Sequence, residues 1–174
     1  MLYYADEALR IRDMVQADAR IITDGEIAQG WDQTIDKYEL RLRHQAEGLC
    51  VALVAEYRGE VAGYNHVYWK PRGGAFYGTD IPEIMDFGVL EKFRRRGIGS
   101  RLMDVAEQLA GTVSDTVCIG VGLHSGYGSA QRMYVKRGYI PDGSGVWYQN
   151  AVCPAYGPCT NDDELALYLS KKLR

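Results

Sequence analysis

The stretch from Leu49 to Trp69 narrows the folds open to this chain more than any other. Leu49-Cys50-Val51-Ala52-Leu53-Val54-Ala55-Glu56-Tyr57 is a near-continuous apolar run of strand length. Arg58-Gly59-Glu60 is a tight turn, and Val61-Ala62-Gly63-Tyr64-Asn65-His66-Val67-Tyr68-Trp69 carries the chain back. Together they predict a long antiparallel hairpin, so a purely helical bundle is excluded.

The flanking segments add helices. Ala8–Met14 alternates and reads as a strand, Gln16-Ala17-Asp18-Ala19 can open a helix with Asp18 near its start, and the segment over about 19–30 is then helical. A second helix runs from Thr34, its expected N-cap, through Gln45; Ile35, Tyr38 and Leu42 recur at three-and-four spacing and Gly48 closes it. Later come a strand over Ile84–Leu90, an amphipathic helix over Gly97–Ala110, a buried strand over Thr116–Val121 and a short helix over Ser129–Arg137 ended by Gly138. Further strands are expected around Gly145–Tyr148 and Glu164–Leu169. This order predicts a mixed α/β domain. At 174 residues the chain is read as one domain over 1–174, because two would leave both cores thin.

Charge and composition remove several function classes. A net charge of −3 leaves no whole-surface attraction to nucleic acid or anionic lipid, so any anion site must be local. No stretch approaches the roughly 18 apolar residues of a membrane span. Met1-Leu2-Tyr3-Tyr4-Ala5-Asp6-Glu7 lacks the basic-then-apolar order of a secretory signal, which leads to the expectation of a cytoplasmic protein. Cys50, Cys118, Cys153 and Cys159 form no Cys-x-x-Cys pair, and His44, His66 and His124 are scattered, so no metal site is expected. Cys50 and Cys118 read as buried thiols, while Cys153 and Cys159 share one loop.

Chemistry concentrates in Glu91-Lys92-Phe93-Arg94-Arg95-Arg96-Gly97-Ile98-Gly99-Ser100, between a strand and a helix. The first amides of a helix lack intrahelical partners and the helix dipole favours negative charge there. Gly97 and Gly99 let a phosphate approach the backbone, and Arg94, Arg95 and Arg96 add donors. The third glycine of a dinucleotide fingerprint is missing, since position 102 is Leu102, and no P-loop occurs.

Arg94-x-x-Gly97-x-Gly99, following a strand and opening a helix, resembles the central motif of the GCN5-related N-acetyltransferases. Ala130-Gln131-Arg132-Met133-Tyr134-Val135-Lys136-Arg137-Gly138-Tyr139 is similar to the family's next helix, and Ile11-Arg12-Asp13 with Asp18 looks like its first strand. The resemblance covers most of residues 8–150, with Cys153–Asn161 as an insertion before the last strand. It implies a mostly antiparallel central sheet with helices on both faces and a splayed strand pair that forms the cofactor cleft. It also implies an N-acetyltransferase that moves an acetyl group from acetyl-CoA to a primary amine of a small molecule, without a metal. A non-catalytic acyl-CoA-binding regulatory module is the alternative. Homodimers are common in the family, so self-association stays open.

Under the same resemblance, the pyrophosphate of the coenzyme takes backbone N–H groups from Arg95, Arg96, Gly97, Ile98, Gly99 and Ser100. The backbone of Phe87 and Val89 holds the pantetheine arm, and the Val89 amide serves as oxyanion donor, a role worth on the order of 3 kcal/mol. An alkylammonium with a pKa near 10.4 costs roughly 4–5 kcal/mol to deprotonate at neutral pH, so a base or water relay is required. Glu83, six residues before Val89, matches the base of histone-type members, with Asp86 in reserve. On a regular strand Glu83, Met85, Phe87 and Val89 share one face and Asp86 takes the other, so one site cannot use both carboxylates without a bulge. Tyr134 matches the family's acid for the departing thiolate. Where many members have asparagine this chain has Tyr127, which leaves Ser129 either as a cofactor contact or as the N-cap of its helix. Asp24, Glu26, Trp31, Asp32, Tyr64, Tyr68 and Trp69 are expected to line an acidic, aromatic acceptor pocket or, failing that, to be ordinary surface and sheet residues.

Overall fold

A computed structural model describes residues 1–173. In chain order the elements are β1 (Leu2–Ala5), β2 (Leu9–Asp13), α1 (Gln16–Ala28), α2 (Ile35–Ala46), β3 (Cys50–Tyr57), β4 (Glu60–Tyr68), β5 (Glu83–Val89), α3 (Ile98–Ala110), β6 (Thr116–Gly122), α4 (Gly128–Lys136), β7 (Ile140–Tyr148), β8 (Ala151–Val152) and β9 (Leu165–Lys172). The strands hydrogen-bond in the order β1-β2-β3-β4-β5-β6-β9-β7-β8. The β5–β6 register is parallel, and the others described for the sheet are antiparallel. This is a mixed α/β fold built on one mostly antiparallel open sheet.

The chain forms two compact units. The first comprises Met1–Tyr68 with Met85–Leu109. The expected hairpin is there, with β3 and β4 in register from Cys50↔Tyr68 to Tyr57↔Glu60. Strand alternation in β4 sends Tyr64 and Tyr68 toward α1 and α2: the Tyr64 hydroxyl donates to Glu26, and the Tyr68 hydroxyl meets His44 and Arg41. Gly63 and Asn65 face α3, where the Asn65 amide donates to the Leu102 carbonyl at 3.4 Å. Helix α3 buries Ile98, Leu102, Met103, Val105 and Ala106. Burying a leucine or isoleucine of this kind stabilises by about 2 kcal/mol.

Helix α1 starts at Gln16, at the head of the segment Gln16–Ala19 expected to open it. Asp18 lies inside the first turn and accepts the Val15 amide at 2.7 Å, while Arg12 from β2 pairs with the same carboxylate. Thr34 does stand at the N-cap of α2, but its side chain makes no capping hydrogen bond.

The second unit comprises Trp69–Ile84 with the chain from Ala110 onward. Here β9 lies between β6 and β7, paired from Thr116↔Lys172 to Gly122↔Ala166 on one side and from Ile140↔Ser170 to Tyr148↔Leu165 on the other. Tyr168 from β9 lies over Gly74, whose φ is +70°; a Cβ there would stand 2.1 Å from the Tyr168 ring, so only glycine fits. Helix α4 ends where Gly138 turns left-handed (φ +86°), and the Tyr139 amide returns to the Tyr134 carbonyl at 3.0 Å. Its N-cap is Tyr127, so Ser129 lies inside the helix and is not the cap.

Candidate active site

Strand β5 is irregular in its backbone. Asp86 has a φ of +52°, a left-handed residue in mid-strand. Pairing with β6 is confined to Glu83↔Cys118 and Ile84↔Ile119 among the described residues. Beyond the kink, Leu90 donates its amide to the Ala62 carbonyl of β4 at 2.9 Å. A Cβ added to Gly88 would stand 2.6 Å from the Tyr64 ring, so Asp86 and Gly88 face the α1–α2 side. Phe87 points the other way, its Cζ 3.0 Å from where a Gly99 Cβ would be.

The chain then passes through a short 3-10 turn, Glu91–Phe93, into the arginine loop. Arg95 (φ +61°) and Gly97 (φ +78°) are both left-handed, and such alternation turns successive amides toward one concavity. At the start of α3 the Arg101 amide bonds the Gly97 carbonyl at 3.0 Å, and the amides of Ile98 and Gly99 lie ahead of it. No atom lies within 4 Å of a Cβ built on Gly97, so the backbone there is open to approach. This cradle suits the diphosphate of a coenzyme A.

The three arginines differ in what their side chains do. Arg94 donates Nε to the Val89 carbonyl at 3.3 Å and Nη1 to Glu91 at 3.1 Å, and its guanidinium stacks on Trp31. Arg96 lies over the Tyr57 ring. Arg95 makes no side-chain hydrogen bond, ion pair or ring contact among the described residues and is exposed, so it is the arginine of the three available to an anion. The backbone is therefore the main anion donor here, and Arg94 is a brace between loop and strand.

In the second unit Glu83 is 5% exposed, beside Cys118 and near Tyr168. Tyr134 is also buried, its ring 5.8 Å from that of Tyr139. Burial, with a smaller contribution from Tyr127, pushes its phenol well above the ordinary value of 10, so the hydroxyl is protonated near pH 7. Ser129 is exposed on the first turn of α4.

The α1–α2 side holds what sequence reasoning missed. Glu26 is fully buried and accepts hydrogen bonds from both Tyr38 and Tyr64. Burial and neighbouring Glu26 hold the Tyr64 phenol far above its usual pKa, so it keeps its proton and donates it in a hydrogen bond to Glu26. The acidic aromatic pocket expected from Glu26, Tyr64 and Tyr68 is therefore closed by internal hydrogen bonds. Asp24 and Asp32 are exposed, and Trp31 carries Arg94. Next to this cluster, Arg41 of α2 donates Nε to Asp86 Oδ2 at 2.5 Å and Nη1 to the Tyr68 hydroxyl at 3.1 Å. His66 lies fully buried with its Nε2 3.7 Å from the same Oδ2. Burial, only partly opposed by Asp86, lowers His66 from 6.5 to about 4, so it is neutral near pH 7. Burial works to raise the Asp86 carboxyl, but His66 and Arg41 outweigh it and hold it below the usual 3.8. The one sequence signal for this group was an aspartate inside an apolar strand two residues before a glycine.

The Acetyltransferase (GNAT) family matches residues 12–139. The chain belongs to that family. It is 31% identical over 117 residues to an uncharacterized N-acetyltransferase of Chlorobaculum tepidum, a match that spans 66% of this chain and 66% of that protein. Among solved structures it resembles YncA of Salmonella typhimurium, solved with its cofactor acetyl-CoA, at 18% identity and a TM-score of 0.68, covering 97% of this chain and 95% of that one. It also resembles a Salmonella typhimurium acetyl transferase that modifies the N-terminal serine of ribosomal protein L7/L12, at 9% identity and a TM-score of 0.72, covering 100% of both chains. The GNAT chain is thus an acyltransferase with acetyl-CoA as donor. Among the described residues there is no group of three side chains arranged to hold a metal ion, and no helix is long and apolar enough to cross a membrane.

Proposed function

We propose that this GNAT enzyme acetylates a primary amine of a small molecule by direct attack of the amine on the thioester. The observation that carries the reading is the arginine loop, where Arg95 and Gly97 turn left-handed immediately before α3 and present its leading amides. Acetyl-CoA supplies an activated acyl group and a thiolate able to leave. In this reading the amides of Arg95–Ser100 and the Arg95 side chain hold the diphosphate, with Ser129 as a further cofactor contact. The backbone of Phe87 and Val89 holds the pantetheine arm. Since Arg94 already occupies the Val89 carbonyl, the Val89 amide is the group left to donate toward a developing oxyanion.

Proton traffic is assigned to two buried groups. Tyr134 gives a proton to the departing thiolate, and its raised pKa keeps that proton in place beforehand. Glu83 removes the proton of the attacking amine, directly or through water. Both assignments follow from the positions of these residues in the motif and from their burial.

The test is an acceptor panel of spermidine, kanamycin, phenethylamine and phenylalanine amide with acetyl-CoA, in which free thiol is followed against the rate without amine. Amine-dependent thiol release with the small molecules supports the reading. Tight acetyl-CoA binding without release for any amine would instead favour a regulatory acyl-CoA-binding module.

A further inference from the structure

If acetyl-CoA lies along β5 as proposed above, the direction of attack follows from what covers each side of that strand. On the α3 side Phe87 closes against Gly99. On the α1–α2 side stand Asp86 and Gly88, and the latter leaves its place to the Tyr64 ring. Asp86 directly precedes Phe87 and faces the opposite side, toward Arg41, from a left-handed backbone (φ +52°).

We infer that Asp86 receives the acceptor's amino group on its Oδ1, with Arg41 as the residue that positions it. The inference rests on the proposed function and names the acceptor-binding residue for a cationic primary amine. Three observations carry it. Oδ2 is taken by Arg41 Nε at 2.5 Å and faced by His66 Nε2 at 3.7 Å, whereas Oδ1 has no hydrogen-bond partner among the described residues. The side chain is 18% exposed, so that one oxygen is held rigidly yet reachable. His66, fully buried and without a hydrogen bond on either ring nitrogen, is too apolar in its setting to compete as a cation.

The electrostatics suit an amine that must later lose a proton. A lone buried carboxylate would hold an ammonium in its charged form, but Arg41 and Asp86 together are neutral. Asp86 can then accept an N–H from either the ammonium or the free amine, and the bond fixes where the nitrogen lone pair points. The titratable and charged groups facing Asp86 are Arg41 and Lys37 from α2 and His66 and Tyr64 from β4.

Asp86→Asn is a fair test because asparagine tolerates the left-handed backbone and keeps the shape. With the amine from the panel that turns over fastest, KM for the amine is expected to rise by at least about tenfold, as for loss of a charged hydrogen-bond partner, while KM for acetyl-CoA stays unchanged. Asp86→Glu restores part of the amine affinity. A second readout needs no turnover: adding spermidine to the protein moves the His66 ring resonances in the wild type and leaves them in place in Asp86→Asn. An unchanged amine KM in a turning-over Asp86→Asn enzyme overturns the inference. So does a loss confined to kcat together with the acidic limb of its pH profile, which would make Asp86 a base. Absence of amine-dependent thiol release in the wild type fails the proposed function itself, and the inference with it.

Discussion

His66 makes the protein sensitive to mild acid in a way that can be measured. Its imidazole is fully buried on β4, beside Asp86 and with Arg41 and Lys37 nearby, and burial lowers its pKa from 6.5 to about 4. The unfolded chain titrates near 6.5, so between that value and about 4 the unfolded state binds a proton that the folded state refuses. Stability from this residue is complete above about pH 6.5 and is lost as the pH falls toward 4. At about 1.4 kcal/mol per pH unit the full loss is roughly 3 kcal/mol, a large part of the 5–15 kcal/mol typical of a domain. Asp86 does not confuse the reading, because its carboxyl is held below 3.8 and its own loss comes at lower pH. Urea unfolding of the wild type and of His66→Gln, compared from about pH 7 to about pH 4.5, separates the term. The variant should start less stable and lose less on acidification. Parallel curves, or a His66 ring that titrates near 6.5 by NMR, would refute the reasoning.

Other perturbations follow from the same geometry. Gly97→Val meets no neighbouring atom but forces a side chain onto a φ of +78°, a strain of about 1–2 kcal/mol; it should fold and bind acetyl-CoA much more weakly by calorimetry. Tyr134→Phe should lower kcat and spare KM for acetyl-CoA, and an unaltered kcat would acquit the phenol. Glu83→Gln should lower the rate at neutral pH with recovery toward alkaline pH, where free amine is plentiful; a flat deficit speaks against a base. Gly88→Ala drives a Cβ to 2.6 Å from Tyr64 and should cost about 1–3 kcal/mol in chemical denaturation. Adding Tyr64→Leu should recover part of that loss, which a double-mutant cycle would register as coupling.

Much of this architecture was legible in the residues. The apolar run into Tyr57, the turn at Gly59 and the periodicity of Ile98, Leu102 and Val105 depend on local pattern, and β3, β4 and α3 appear within a residue of where that pattern puts them. β1 and β8 escaped because four and two residues carry no period, and each pairs along a single neighbouring strand. The loop from Arg94 to Gly99 could be read because its backbone demands glycine. The fate of its arginines could not, since Arg94 finds Trp31 and Arg96 finds Tyr57, far away in sequence. Glu26 reads as one more acid on an amphipathic helix until Tyr38 and Tyr64 arrive from other elements. The kink at Asp86 was foreseen only as the condition under which both carboxylates of β5 could serve one site.

Arg94 ties three things with one guanidinium: the Val89 carbonyl, the Glu91 carboxylate and the Trp31 ring. A peptide group fixed at its oxygen end cannot swivel, so the N–H at its neighbour inherits that stillness. Whatever grips the turn just downstream would thereby stiffen the strand upstream, and tail recognition and carbonyl activation would rise or fall as a pair.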